Sequence, residues 1–232
     1  MEALGRDVLH RLELSGDELV IDAGCGSGRI TEALLERLPR GRVIALDQSP
    51  SMIEAARRRL GERAELHVVD LLELDLPEPA DAILSTATFH WIGDHPRLFE
   101  RLHRALRPGG QLVAQCGGRG NIDILRGKVR AICLRDPYRE HFEGWQTPWN
   151  YAGPEETEER LRAAGFSRVE CWLTPAPREP DQPREFLSTI VLGPHVQRLP
   201  EALREPFMDE VMDVLGEPVV VDYIRLNIDA IA

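Results

Sequence analysis

Apolar and polar positions along the chain keep two rhythms. A short continuous apolar run at 19–21 opens a strand over 19–23 of the kind buried on both faces, and the apolar-rich stretches 42–46, 64–69, 81–85 and 111–116 also read as strands. Between them apolar positions recur every three or four residues. Leu4, Val8, Leu9 and Leu12 share one face of a helix over 2–12. Ile30, Ala33, Leu34 and Leu38 do so over 29–38, and Met52, Ile53 and Ala56 over 50–60. Leu98, Phe99, Leu102 and Leu106 point inward from a helix capped by Asp94. Strands and helices that alternate in this way predict a doubly wound α/β sheet. The punctuation agrees. Pro39-Arg40-Gly41 and Gly61 end helices, Ser49 is a good N-cap with Pro50 at the first helical position, and Arg107-Pro108-Gly109-Gly110 turns sharply into the fifth strand.

The second half is less regular. It predicts helices at 122–135, 155–164, 184–199 and 201–215 and a sixth strand at 167–173. A β-branched last strand at 219–228 closes a seven-stranded, mostly parallel sheet whose last strand is antiparallel. Residues 136–153 collect Tyr138, Phe142, Trp145, Trp149 and Tyr151, too many rings for a linker. The chain is therefore read as a single domain, 1–232. Residues 117–165 form a small helical and aromatic cap inserted between strands five and six, over the ligand crevice.

Folds of this kind bind ligands beyond the carboxyl ends of their strands, and the chemistry of this chain collects there. Leu19-Val20-Ile21 runs into Asp22, and glycines follow at 24, 26 and 28 with Cys25 among them. Such glycines let the backbone turn sharply and let a ligand touch it. Dinucleotide folds prefer G-x-G-x-x-G. The spacing G-x-G-x-G leaves open a purely structural turn or a nicotinamide-dinucleotide site. Asp47 ends the second strand, 25 residues after Asp22. A carboxylate there can accept both hydroxyls of a ribose, with Gln48 and Met52 flanking the sugar and its adenine. Asp70 ends the third strand, a third acid that a dinucleotide site does not require.

With the turn at 107–110, these residues resemble the class I S-adenosylmethionine (SAM)-dependent methyltransferases, a Rossmann-like superfamily. The resemblance covers about 19–116. It implies that Gly24, Cys25, Gly26 and Gly28 pass under the methionyl and ribose parts of SAM, with Asp22 near its ammonium. It implies that Asp70 binds the adenine amino group, that Leu71 packs on the ring, and that Thr86 at the end of strand four faces the sulfonium. The implied cofactor is SAM, and its product S-adenosylhomocysteine.

Charge and composition narrow the partners. Lys and Arg number 28 against 39 acids, a formal charge of −11, with no basic block beyond Arg57-Arg58-Arg59. That weighs against a nucleic-acid substrate. No apolar run approaches the roughly 20 residues of a membrane span, and residues 1–6 hold no apolar signal core. The expectation is a cytoplasmic protein with a small-molecule acceptor. The four cysteines form no C-x-x-C pair and the histidines are scattered, so no metal site is expected.

For the acceptor, His90-Trp91 followed by Asp94-His95, and the segment 115–121, resemble trans-aconitate methyltransferase and related small-molecule carboxyl methyltransferases. That resemblance implies that His90 and Trp91 contact the substrate, with Arg119, Trp149 and Tyr151 as cap contacts. The expected reaction is O-methylation of a carboxylate on a trans-aconitate-like acid, or of a hydroxyl. A carboxylate needs no base. For a hydroxyl, His90 is the expected catalytic base, its ordinary pKa of about 6.5 suiting the task. Two alternatives stay open: methylation of carbon or nitrogen on another metabolite, and SAM binding without turnover. Relatives carry an N-terminal aromatic lid. Only residues 1–17 precede the first strand here, so the expectation is a lid that is truncated or absent.

Overall fold

The computed structural model describes residues 2–232, without the side chains of 2–4 and 6, so the expectation for Leu4 lies outside the described residues. The first half alternates as the periodicity requires: α1 (Glu2–His10), β1 (Leu19–Ala23), α2 (Arg29–Glu36), β2 (Arg42–Asp47), α3 (Pro50–Leu60), β3 (Glu65–Val68), β4 (Ala80–Thr86), α4 (His95–Arg104) and β5 (Leu106–Gly117). The seven strands lie in the order β3-β2-β1-β4-β5-β7-β6, where β6 is Ser167–Pro175 and β7 is Ile224–Ile231. β1 to β5 pair in parallel, and β7 runs antiparallel against β5. Chain order reverses between β1 and β4, which opens a crevice at their carboxyl ends.

Burial explains the apolar runs. Ile21, Ile44, Ile83 and Leu112 pack with Phe99 and Leu102 of α4 on one face. Val20, Val43, Leu84 and Val113 pack with Leu9, Leu34 and Ile53 on the other. The central strands are covered by helices on both sides, so neither face asks for polar residues, whereas β3 at the sheet edge is largely exposed.

The chain divides into two compact units. The first joins the residues up to 119 with 150–174 and 225–232. The second joins 120–149 with 175–224. The boundaries thus differ from the expected insertion at 117–165. Ala152, and Leu161 on α7 (Pro154–Ala163), bury into the same core as Phe99, which holds 150–165 to the sheet. The second unit contains α5 (Asp123–Cys133), α6 (Arg139–Phe142), α8 (Pro183–Phe186), α9 (Gly193–Arg198) and α10 (Glu201–Leu215).

Four further expectations are corrected. The helix read at 184–199 is broken into α8, a π-helical turn over Leu187–Val191 and α9, with Pro194 in the first turn of α9. The last strand lies at 224–231 rather than 219–228. The β-branched run at 219–221 makes only one bridge, Arg178 with Val221. In β7, Leu226, Ile228 and Ala230 enter the core while Arg225, Asn227 and Asp229 alternate with them, and those polar residues disguised the strand. Leu106 begins β5 opposite Ala80 instead of ending α4. The glycine turn at 107–110 loops out before Gln111 pairs with Ala82. Met52 is 44% exposed, at the open N-terminal turn of α3, while Ile53, Ala56 and Leu60 are buried. No helix among the described residues is long and apolar enough to cross a membrane.

Candidate functional site

β1 brings the chain to the carboxyl edge of the sheet, where the next residues are held from two sides. The carbonyl of Leu46 accepts the N–H groups of Gly24 (2.8 Å) and Cys25 (2.9 Å). From β4 and the turn after it, Ser85 Oγ donates to Ala23 O (2.7 Å) and Thr88 Oγ1 to Gly24 O (3.2 Å). Gly24 has φ 84°, and a Cβ on it would overlap the Thr88 side chain. Gly26, with φ 54°, differs: a Cβ would meet nothing within 4 Å, so bare backbone faces open space. Gly28 caps α2.

Three acids stand at the ends of three neighbouring strands, and each has a different environment. Asp22 is 1% exposed. Its Oδ2 accepts from Thr31 Oγ1 at 2.6 Å, and its Oδ1 is buried with no hydrogen-bond partner among the described residues. Burial, opposed by the Thr31 bond and reinforced by Asp47, pushes this carboxyl up to about 6. Asp47 accepts from Gly26 N–H and Ser49 N–H, both at 2.9 Å, which locks the two turns together. Asp70 is exposed and caps the short 3₁₀ turn Leu71–Glu73 through Leu72 N–H (2.9 Å). Gln48 and Met52 are exposed beside Asp47, and Thr86 is half-buried at the end of β4. Leu71 is only 5% exposed and packs into the core, so its side chain is not offered as a face for a ring. Burial and the carboxylates of Asp22 and Asp47 hold the Cys25 thiol far above its ordinary range, where it is unreactive.

The second cluster follows β4. Residues Phe89–Trp91 form a 3₁₀ turn, with Phe89 buried and His90 only 8% exposed. Gly117 N–H donates to His90 Nδ1 at 3.2 Å. The acceptor nitrogen is thereby assigned, and the neutral ring carries its proton on Nε2. Burial, then the charge of Arg225, then His95 push the ring down to about 3. This corrects the expectation of a general base. At neutral pH one ring nitrogen is already occupied as an acceptor and the other is an N–H donor. Trp91, 40% exposed, and Tyr151 flank the ring at centroid distances of 5.3 and 5.8 Å.

Two further expected contacts, Arg119 and Trp149, have neighbours of their own. Arg119 pairs with Glu155 and Glu156 at the start of α7, both at 3.4 Å, so its charge is engaged there. Trp149 belongs to the second unit, 5.8 Å from the ring of His195. Sequence reasoning missed Ser85, Thr88 and Arg225. Arg225 is 4% exposed and sits opposite Gly117 at the start of β7. Because β7 is antiparallel, its start lies at the edge where the parallel strands end. A lone arginine leading an alternating strand was the available signal.

A glycine turn of open backbone, an orphaned buried carboxylate oxygen and acids on three strand ends at the switch point define a class I SAM-dependent methyltransferase. Residues 20–110 match the methyltransferase domain family. A trans-aconitate 2-methyltransferase from Rhizobium etli is 41% identical over 220 residues, covering 90% of this chain and 82% of that protein. Another, from Methylobacterium nodulans, is 32% identical over 171 residues, 73% of this chain and 61% of that protein's length. The chain belongs to the trans-aconitate 2-methyltransferase family. Its fold is shared with phosphoethanolamine N-methyltransferase 2 of Haemonchus contortus, solved with phosphomonomethylethanolamine and S-adenosylhomocysteine. That match has a TM-score of 0.65 at 19% identity and covers 99% of this chain and 52% of that one.

Proposed function

We propose that this protein transfers a methyl group from SAM to a carboxylate oxygen of a small organic acid of the trans-aconitate type. The observation that carries the reading is His90, a buried neutral imidazole whose Nε2 is a proton donor, on the strand-end edge that also holds the buried cation Arg225. An N–H donor and a guanidinium suit an anionic oxygen acceptor. An amine or phenol would ask for a base, and this histidine is not one.

The residues fit the cofactor. Asp22 Oδ1 needs a partner and suits an ammonium. Asp47 keeps lone pairs for ribose hydroxyls beyond its two backbone bonds, and Asp70 suits an adenine amino group. The open backbone at Gly26 leaves room for the body of the molecule. When bound, SAM supplies an electrophilic methyl group on a sulfonium. The chain's own task is to hold the acceptor oxygen in line and keep water from it. His90 and Arg225 orient the carboxylate, which is already ionised at neutral pH. Trp91 and Tyr151 are the apolar walls beside it.

The test is methylation of a panel of di- and tricarboxylic acids beside matched amides, amines and phenols. Methyl esters of the acids are expected. Methylation confined to amines or phenols would overturn the reading. In the same assay Arg225→Met should raise the KM for the acid roughly tenfold or more, as expected for loss of a charge-assisted bond. Its affinity for S-adenosylhomocysteine should be unchanged.

A further inference from the structure

The second unit contains a cavity of about 750 Å³ formed by α5, the segment 139–147 and His195 of α9. The volume is within the usual range of small-molecule pockets, roughly 300–1,000 Å³. All of its lining residues belong to the second unit, so this inference does not depend on the methyl-transfer reading.

Part of the lining is aromatic. Phe142 lies 5.5 Å from Trp145 and 5.8 Å from His195, and Trp145 meets His195 edge-on at 4.7 Å. Phe207 of α10 stacks behind His195 at 6.5 Å, which fixes the wall. His195 is 5% exposed, and its Nδ1 is buried without a hydrogen-bond partner among the described residues. Burial, then the charge of Arg126, lower its pKa to about 4, so the ring is neutral at neutral pH. The lining also carries charge, from Arg126, Arg130 and Arg139 with Asp123 and Glu143. Arg126 pairs with Asp123 at 3.4 Å, and Arg139 Nε donates to Leu134 O at 3.0 Å. Arg130 and Arg139 are exposed.

We infer that this cavity binds an organic anion with a flat apolar body, of the class of an aryl carboxylate. The rings of Phe142, Trp145 and His195 supply a rigid face for stacking. The guanidinium groups present the planar fork that recognises a carboxylate. An uncharged ligand would use only the first, and a small hydrophilic acid only the second.

The experiment titrates the full chain with 1-naphthoate and with its uncharged counterpart 1-naphthamide, reading tryptophan fluorescence with and without saturating S-adenosylhomocysteine. Naphthoate should quench the emission, and Trp145→Phe should remove most of that response. Naphthamide should bind at least about tenfold more weakly, and the double variant Arg130→Glu/Arg139→Glu should weaken naphthoate by about as much. Both arginines are exposed, so the variant should keep its fold and its affinity for S-adenosylhomocysteine. Equal affinity for the two probes, unaltered binding in the double variant, or quenching that survives Trp145→Phe would each overturn the inference. So would displacement by S-adenosylhomocysteine, which would put the probe in the cofactor crevice.

Discussion

The turn at 24–28 and the segment at 139–149 both leave regular structure beside chemistry, and they are built on opposite terms. In the first, position is set by backbone. Leu46 O takes two N–H groups, Asp47 takes another, and Ser85 and Thr88 fasten carbonyls from the far side. In the second, position is set by rings. Phe142 sits among Trp145, His195 and Phe207, with centroids 5.5 to 5.9 Å apart. The backbone bonds and the close approach at Gly24 tolerate little change, because each atom there is a donor, an acceptor or a contact. Ring packing tolerates apolar side chains of similar volume. A protein built this way can keep its cofactor while its other ligands change.

The largest test of this contrast is Asp47→Ala. It removes the acceptor for Gly26 N–H together with the group expected to hold the ribose, and charge-assisted bonds are each worth about 1.5–3 kcal/mol. Affinity for S-adenosylhomocysteine by calorimetry should fall roughly 100-fold, with the circular dichroism of the fold retained. Unchanged affinity would remove Asp47 from the site. Next are the two glycines. Gly24→Ala forces a methyl group into Thr88 and should cost about 2 kcal/mol or more in urea denaturation. Gly26→Ala meets no protein atom, so it should cost only the ~1 kcal/mol of a left-handed alanine while weakening cofactor binding. Equal stability losses would mean that the turn is not tied as described. The last test is of pH. In the role proposed for it, Asp22 would hold an ammonium only in its ionised form, and its pKa is raised to about 6. Affinity for S-adenosylhomocysteine should therefore be full above about pH 7 and fall up to tenfold per unit below about pH 6. Asp22→Asn should be weaker throughout and flat with pH.

The legible part of the site follows the same division. Asp22, Gly24, Gly26, Asp47 and Asp70 could be read from the sequence because an apolar run ending in an acid or a glycine marks the end of a buried strand. Chain order then places those ends along one edge. His90 and Trp91 were legible as a pair, but not the state of the imidazole. That state depends on Gly117, 27 residues away, and on Arg225 in a strand that pairs antiparallel far along the chain. The ion pairs of Arg119 with Glu155 and Glu156 were not legible for a related reason: nothing local announces them. Met52 was assigned to the buried face because helical spacing fixes a face only to within one residue.

By itself the sequence determined the alternation of strands and helices, the order of the acids on strand ends and the glycines between them, all of which depend on neighbours within a few residues. The tertiary structure decided which groups are buried and which nitrogen holds a proton. It also decided that 120–149 and 175–224 form one compact unit. Desolvation and long-range pairing act through space, and the strength of a charge or a hydrogen bond at these sites is set by whatever distant residues exclude the water around it.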